Sequence, residues 1–215
     1  MSYFVVIPAR FDSSRLPGKP LMDIAGKPMI QHVYENSRKS SAKEVVVATD
    51  DSRILDCVEK FGGRAILTAK SHTSGTERVQ EAAEILDLCS DDIVVNVQGD
   101  EPLMPPEAID RVATDLNERK DFDIATLCES SNKDIENPNI VKVVLNNFGE
   151  ALYFSRAPIP HSVDANDYFR HIGLYAYRVD ILNKLTAFPI AHYEKLERLE
   201  QLRALAFGIK IYVAV

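Results

Sequence analysis

The sequence predicts an α/β protein: a mostly parallel sheet flanked by helices, with a small lobe that contains a hairpin. Three observations predict it. Short Val- and Ile-rich runs lack polar alternation, the pattern of strands buried on both faces of a sheet. Longer stretches between them carry one apolar face at helical spacing. After Val141 this alternation gives way to closely spaced strands.

The first strand candidate is Tyr3 to Pro8. Ile30, Val33, Tyr34 and Ser37 then share a face after Pro28, which suits a first helical turn. Val45 to Thr49 is the second strand. Ile54, Val58 and Phe61 form another helical face, closed by Gly62 and Gly63. Ala65 to Thr68 follows as a strand. Val79, Ala82, Ala83 and Leu86 make a third helical face, with Ser74 and Glu77 at capping-box spacing ahead of it. Ile93 to Val97 and Ile124 to Leu127 are further strands. This alternation predicts a largely parallel sheet with helices on both sides. Val141 to Leu145, Asn146-Asn147-Phe148-Gly149 and Ala151 to Ser155 read as a hairpin around an Asn/Gly turn. His171 to Tyr177 is another strand. Leu196, Leu199, Leu202 and Arg203 lie on a late helix ended by Gly208, and Ile209 to Val215 is the last strand.

With 215 residues, 46% of them hydrophobic, the chain can bury one substantial core, so a single domain over 1–215 is expected. The net charge of −7 argues against a nucleic-acid partner, which calls for a basic excess. A small anion is still accessible to a few local Arg and Lys. Cys57, Cys89 and Cys128 are scattered without CxxC spacing, as in reduced cytosolic proteins. No apolar run approaches the roughly 20 residues that span a bilayer. The N-terminal run has no basic region before it. A cytoplasmic protein with no membrane partner is expected.

Five segments carry chemistry. The loop from Ile7 to Pro20 follows the first strand and holds Arg10, Arg15 and Lys19 beside Gly18. Ligands of open α/β sheets bind at such strand ends, and three cations suit a triphosphate. A solvated basic loop accounts for the same composition. The loop lacks the Walker A spacing and a GxGxxG fingerprint. Asn96 to Pro102 ends an apolar strand with Asp100-Glu101, where Mg²⁺ would bridge carboxylate and phosphate. A plain acidic turn is the alternative, and Gly99 would allow close approach to a ligand. Ser74, Gly75 and Arg78 open a helix whose amides suit a nucleotide, although a capping box alone explains Ser74. Arg78 opposes the helix dipole, so a phosphate or an acid is its expected partner. Arg156 and His171 sit at strand ends where they could hold a sugar carboxylate. Glu200 and Gln201 share a polar helix face.

The segments IPARFDSSRLPGKPL, SGTER, VNVQGDEP, NPNIVKVVL, ALYFSRAPIP, RHIGLYAYR and LERLEQLRAL occur in this order. Their order and residues resemble the 3-deoxy-manno-octulosonate (Kdo) cytidylyltransferases over essentially the whole chain. The resemblance implies a nucleotidyltransferase-type, Rossmann-like fold, with 146–180 contributing a smaller sugar-binding and dimerisation lobe of a homodimer. It implies transfer of CMP from CTP to the anomeric hydroxyl of Kdo, with release of pyrophosphate, for lipopolysaccharide synthesis. By matching, Arg10, Arg15 and Lys19 hold the triphosphate. Ala9, Ser74, Gly75 and Arg78 lie along the cytidine, and Asp100 ligates Mg²⁺. Gln98, Arg156, His171, Tyr175, Glu200 and Gln201 line the sugar site. Arg10, Lys19 and Asp100 stabilise the charge of the reacting phosphate. No side chain stands out as a general base.

Three departures from the family pattern are visible. The family continues past Val215 into a V-D-T-P-E-D-L type segment whose Asp binds metal, and the natural chain is expected to do the same. The stretch from His161 to Phe169 is short. His161 and Ala206 stand where Trp is common. Two other readings are open: a cytidylyltransferase for another acidic sugar (8-amino-Kdo or a sialic acid), and a nucleotide-binding module without catalysis. Sialic-acid enzymes usually carry a more Gly-rich first loop.

Overall fold

The computed structural model describes residues 2–12, 16–161 and 167–215. In chain order, β1 (Tyr3–Ala9) leads through a 3-10 turn (Lys19–Leu21) and a small ribbon, β2 (Asp23–Ile24) and β3 (Lys27–Pro28), to α1 (Met29–Ser37). Then come β4 (Glu44–Thr49), α2 (Ser52–Lys60), β5 (Ala65–Leu67), α3 (Gly75–Ile85), β6 (Ile93–Asn96) and α4 (Pro106–Glu118). The second half comprises β7 (Ile124–Ser131), β8 (Lys142–Leu145), β9 (Ala151–Ser155), β10 (Tyr168–Arg178), α5 (Val179–Ala187), α6 (His192–Glu197), α7 (Gln201–Ala206) and β11 (Ile211–Ala214).

The main sheet runs β11-β7-β10-β6-β1-β4-β5, with β8 pairing β10 and β9. β5, β4, β1 and β6 are mutually parallel, and so are β11 and β7. The long β10 runs antiparallel between β6 and β7. β4 lies on one side of β1 and β6 on the other, so the chain reverses its direction of travel at β1. Loops leaving β1 and β6 therefore separate and open a crevice at their carboxyl ends.

Alternation along β1 sets the two layers. Tyr3, Val5 and Ile7 pack with Ile30 of α1, Ile54 and Val58 of α2 and Ile109 and Val112 of α4. Val6 faces the other way, with Val79 and Ala82 of α3, Leu182 of α5 and Leu202 of α7. A strand covered on both faces has no position for polar residues, which is why its sequence is continuously apolar. Among the described residues, no helix is long and apolar enough to cross a membrane.

Two helices go beyond the sequence reading. α4 begins on Pro105-Pro106 directly after the acidic turn, with Pro at its first position. α5 continues from β10 with no turn residue between them, so its apolar residues merge with the strand's. The late helix is broken in two. Arg198 adopts a left-handed conformation (φ 55°) at the end of α6, and the buried pair of Arg203 with Glu194, 2.6 Å, holds α7 against α6. The Asn/Gly hairpin forms as expected: Asn146 Oδ1 accepts from the amides of Phe148 and Glu150. Gly149 there has φ 79°, and a Cβ on it would lie 2.6 Å from the Tyr212 ring.

Candidate active site

The crevice holds a cleft of about 570 Å³ between the loops that follow β1 and β6. Ala9, Arg10 and Lys19 line one wall, and Gln98, Gly99 and Asp100 line the other. Gly18 shapes the first wall: at φ 71° it precedes the 3-10 turn, and its amide donates to the Phe11 carbonyl at 2.9 Å. This closure directs Lys19 across the cleft, where Nζ lies 2.7 Å from Asp100 Oδ2. Arg15 lies outside the described residues. A Cβ on Gly99 would come within 2.8 Å of the Pro8 carbonyl oxygen. The close approach that Gly99 permits is thus to β1 of its own chain, which seats Asp100 next to the basic loop.

Beside this cleft, Ala9, Arg10, Ser74, Gly75, Arg78 and Gln98 line a pocket of about 150 Å³. Ser74 caps α3 in a reciprocal capping box: its Oγ accepts from the Glu77 amide and Glu77 Oε2 accepts from the Ser74 amide, both at 3.2 Å. Arg78 is only 3% exposed, and its guanidinium donates to Asp50 at 2.8 Å and to the Thr68 hydroxyl. The partner anticipated for Arg78 is therefore an acid, Asp50, which draws the first turn of α3 toward the end of β4.

Gln98 also borders a third pocket, of about 70 Å³, with Thr76, Tyr175, Tyr177, Glu200 and Gln201. Tyr175 and Tyr177 lie two apart on one strand, hence on one face, and their rings stack at 5.8 Å. Burial raises both phenols well above their ordinary range, so they are neutral donors at pH 7. Glu200 accepts from the Thr76 hydroxyl at 2.7 Å through Oε2, while its buried Oε1 has no hydrogen-bond partner among the described residues. The sequence pointed to Tyr175, Glu200 and Gln201. It passed over Thr76 and Tyr177, whose signals are the SGTER motif and the two-residue spacing in LYAY.

His171 and Arg156 line none of these three pockets. His171 stands behind Tyr175, ring centroids 5.4 Å apart, and edge-on to Phe154. It faces a separate recess of about 410 Å³ that also borders Glu101, Glu129 and Arg170. Burial pushes the imidazole down to about 3, so it is neutral at pH 7. Thr126 Oγ1 lies 3.0 Å from its Nε2 and 2.7 Å from the Leu174 carbonyl, where β10 bulges between Ile172 and Tyr175. Arg156 donates to the carbonyls of Glu197 at 2.8 Å, Pro138 at 2.9 Å and Arg198 at 3.4 Å. Two of these are carbonyls freed by the end of α6. In turn, Glu197 accepts from Ser155 Oγ at 2.6 Å and the Arg156 amide at 2.9 Å. The YFSRA strand thus clamps the corner that presents Glu200.

Among the described residues, no three His, Cys, Asp or Glu side chains form a metal cage. Magnesium needs no such cage, because it takes one or two carboxylates and fills its shell with water and phosphate oxygens. Asp100 suits that role: its side chain is a hard oxygen donor, 51% exposed on the cleft wall opposite the basic loop.

A family profile described as cytidylyltransferase matches residues 4–211. A 3-deoxy-manno-octulosonate cytidylyltransferase of Cellvibrio japonicus is 54% identical over 228 residues, covering 100% of this chain and 89% of the relative. One of Hahella chejuensis is 52% identical with the same coverage. A solved CMP:2-keto-3-deoxy-manno-octonic acid synthetase complexed with CTP superposes with TM-score 0.94 at 45% identity, covering 100% of this chain and 89% of that one. A cytidylyltransferase of Leptospira borgpetersenii, 17% identical with TM-score 0.64 and 75% of its length covered, shares the fold.

Proposed function

Because the chain belongs to the 3-deoxy-manno-octulosonate cytidylyltransferase family, we propose that it transfers CMP from CTP to the anomeric hydroxyl of Kdo and releases pyrophosphate. The product is the activated sugar used for lipopolysaccharide synthesis. The observation that carries this reading is the Lys19–Asp100 contact across the crevice, which sets a cation suited to phosphate oxygens beside an acid suited to a divalent metal.

In the reaction the sugar hydroxyl oxygen bonds to the α-phosphorus and its proton passes to solvent water. The bond from that phosphorus to the bridging oxygen breaks, and the electron pair leaves with pyrophosphate. Little of this needs covalent help from protein, so positioning and charge stabilisation dominate. Arg10 and Lys19 hold phosphate oxygens, and the pocket of Ser74, Gly75 and Arg78 takes the nucleoside end. Gln98, Tyr175, Glu200 and Gln201 take the sugar, with the orphaned Glu200 oxygen accepting from a sugar hydroxyl. Arg156 and His171 support that pocket from behind. Asp100 holds Mg²⁺, which supplies positive charge to the phosphate oxygens when bound.

We place the enzyme in the cytoplasm; the three free cysteines suit a reducing compartment. We also read it as a homodimer. The 146–180 lobe exposes Phe148 (78%) and Leu152 (56%), apolar surface that suits a subunit contact.

The deciding assay supplies CTP with Kdo, 8-amino-Kdo or a sialic acid in parallel and measures pyrophosphate, with Mg²⁺ and with excess EDTA. Release only with Kdo and only with the metal is expected. Release with another sugar alone refutes the substrate, turnover in EDTA refutes the metal, and no release with any sugar leaves the non-catalytic module.

A further inference from the structure

Thr76 is the second residue of α3, one past Gly75, and is 4% exposed. Its hydroxyl reaches a carboxylate 124 positions away. That carboxylate, Glu200, has one oxygen held by Thr76 and the other buried with no hydrogen-bond partner among the described residues. A bare buried acceptor is costly unless a ligand satisfies it, so its direction matters. A β-branched side chain has few χ1 choices, which makes Thr76 a stiff point of attachment. The same helical turn carries Ser74 and Gly75, which line the nucleotide-side pocket, while Thr76 and Glu200 line the smaller pocket beside it.

We propose that Thr76 is a positioning residue that orients Glu200 toward the acidic sugar and ties the sugar pocket to the helix turn lining the nucleotide pocket. The inference rests on the functional reading above and deepens it.

The test is steady-state pyrophosphate release by the full chain, varying Kdo at saturating CTP and CTP at saturating Kdo. Thr76→Val keeps the shape and removes the donor. It is expected to raise the KM for Kdo about tenfold, the scale of one hydrogen bond to a charged group, with the KM for CTP within about twofold. Thr76→Ser, which keeps the hydroxyl, restores the wild-type KM for Kdo. Should Thr76→Val not fold, Thr76→Ala carries the same comparison. An unchanged KM for Kdo in the Val or Ala variant overturns the proposal while leaving the functional reading intact. Equal loss for both substrates, unrescued by Ser, also overturns it. Absence of Kdo-dependent release by the wild-type protein removes the functional reading and the proposal together.

Discussion

Asp100 separates stability from chemistry at a single residue. Its ion pair with Lys19 is half exposed, 38% and 51%, so it adds less than about 1 kcal/mol to folding. Asp100→Ala is therefore expected to leave the thermal midpoint nearly unchanged. Turnover should fall at least ~100-fold, the scale for removing one preorganised electrostatic group. Near-normal turnover at ordinary magnesium would remove Asp100 from the mechanism. His171 makes the opposite case, a titratable group that stays neutral. Its folded-state pKa, about 3, lies below the unfolded value. The unfolded chain thus binds a proton that the folded chain refuses, and stability falls as pH drops from about 6.5 toward 3. This contribution is expected to have a slope on the order of 1 kcal/mol per pH unit. Urea unfolding of His171→Asn across that window should show a shallower acid decline than wild type; parallel profiles would contradict it.

Single elements show how supporting structure reaches the site. The carbonyls released where α6 ends are taken by Arg156, and the corner they form leads straight into Glu200. Arg156→Ala should raise the KM for the sugar about tenfold while CTP binding stays intact. Equal loss for both substrates would instead indicate general unfolding. The β6 loop has a different constraint. Gly99 abuts the Pro8 carbonyl, with 2.8 Å left for a Cβ, so Gly99→Ala must push β1 and the β6 loop apart. A cost of about 2 kcal/mol is expected, typical of overpacking, read as a lower urea midpoint. A variant as stable as wild type would show that the loop yields freely.

At the scale of the whole molecule, reversal of strand order at β1 creates the crevice. The antiparallel β10 then brings Tyr175 and Tyr177 alongside β6, where Asn96 pairs with Tyr175. A net charge of −7 coexists with a cationic loop, because clefts focus local fields whatever the total. The exposed apolar residues of the hairpin lead to an expected solution mass of twice 24.1 kDa by sedimentation equilibrium. A monomeric mass at micromolar concentration would overturn the dimer.

By itself the sequence determined the features that short-range rules write. Continuous apolar runs marked the strands covered on both faces, Ser74 and Glu77 marked a helix start, Asn146 to Gly149 marked a turn, and the acidic pair after Asn96 marked a strand end. It also carried the motifs that point to Arg10, Lys19 and Asp100. Only the tertiary structure decided that β10 runs antiparallel inside a parallel framework, and that the last helix breaks at Arg198. It alone showed that Arg78 answers to Asp50, Arg156 to the end of α6 and Thr76 to Glu200. Those partners lie 28, 41 and 124 positions apart. No period or local propensity encodes which distant polar group a side chain will meet, because that choice follows from how the buried faces pack together.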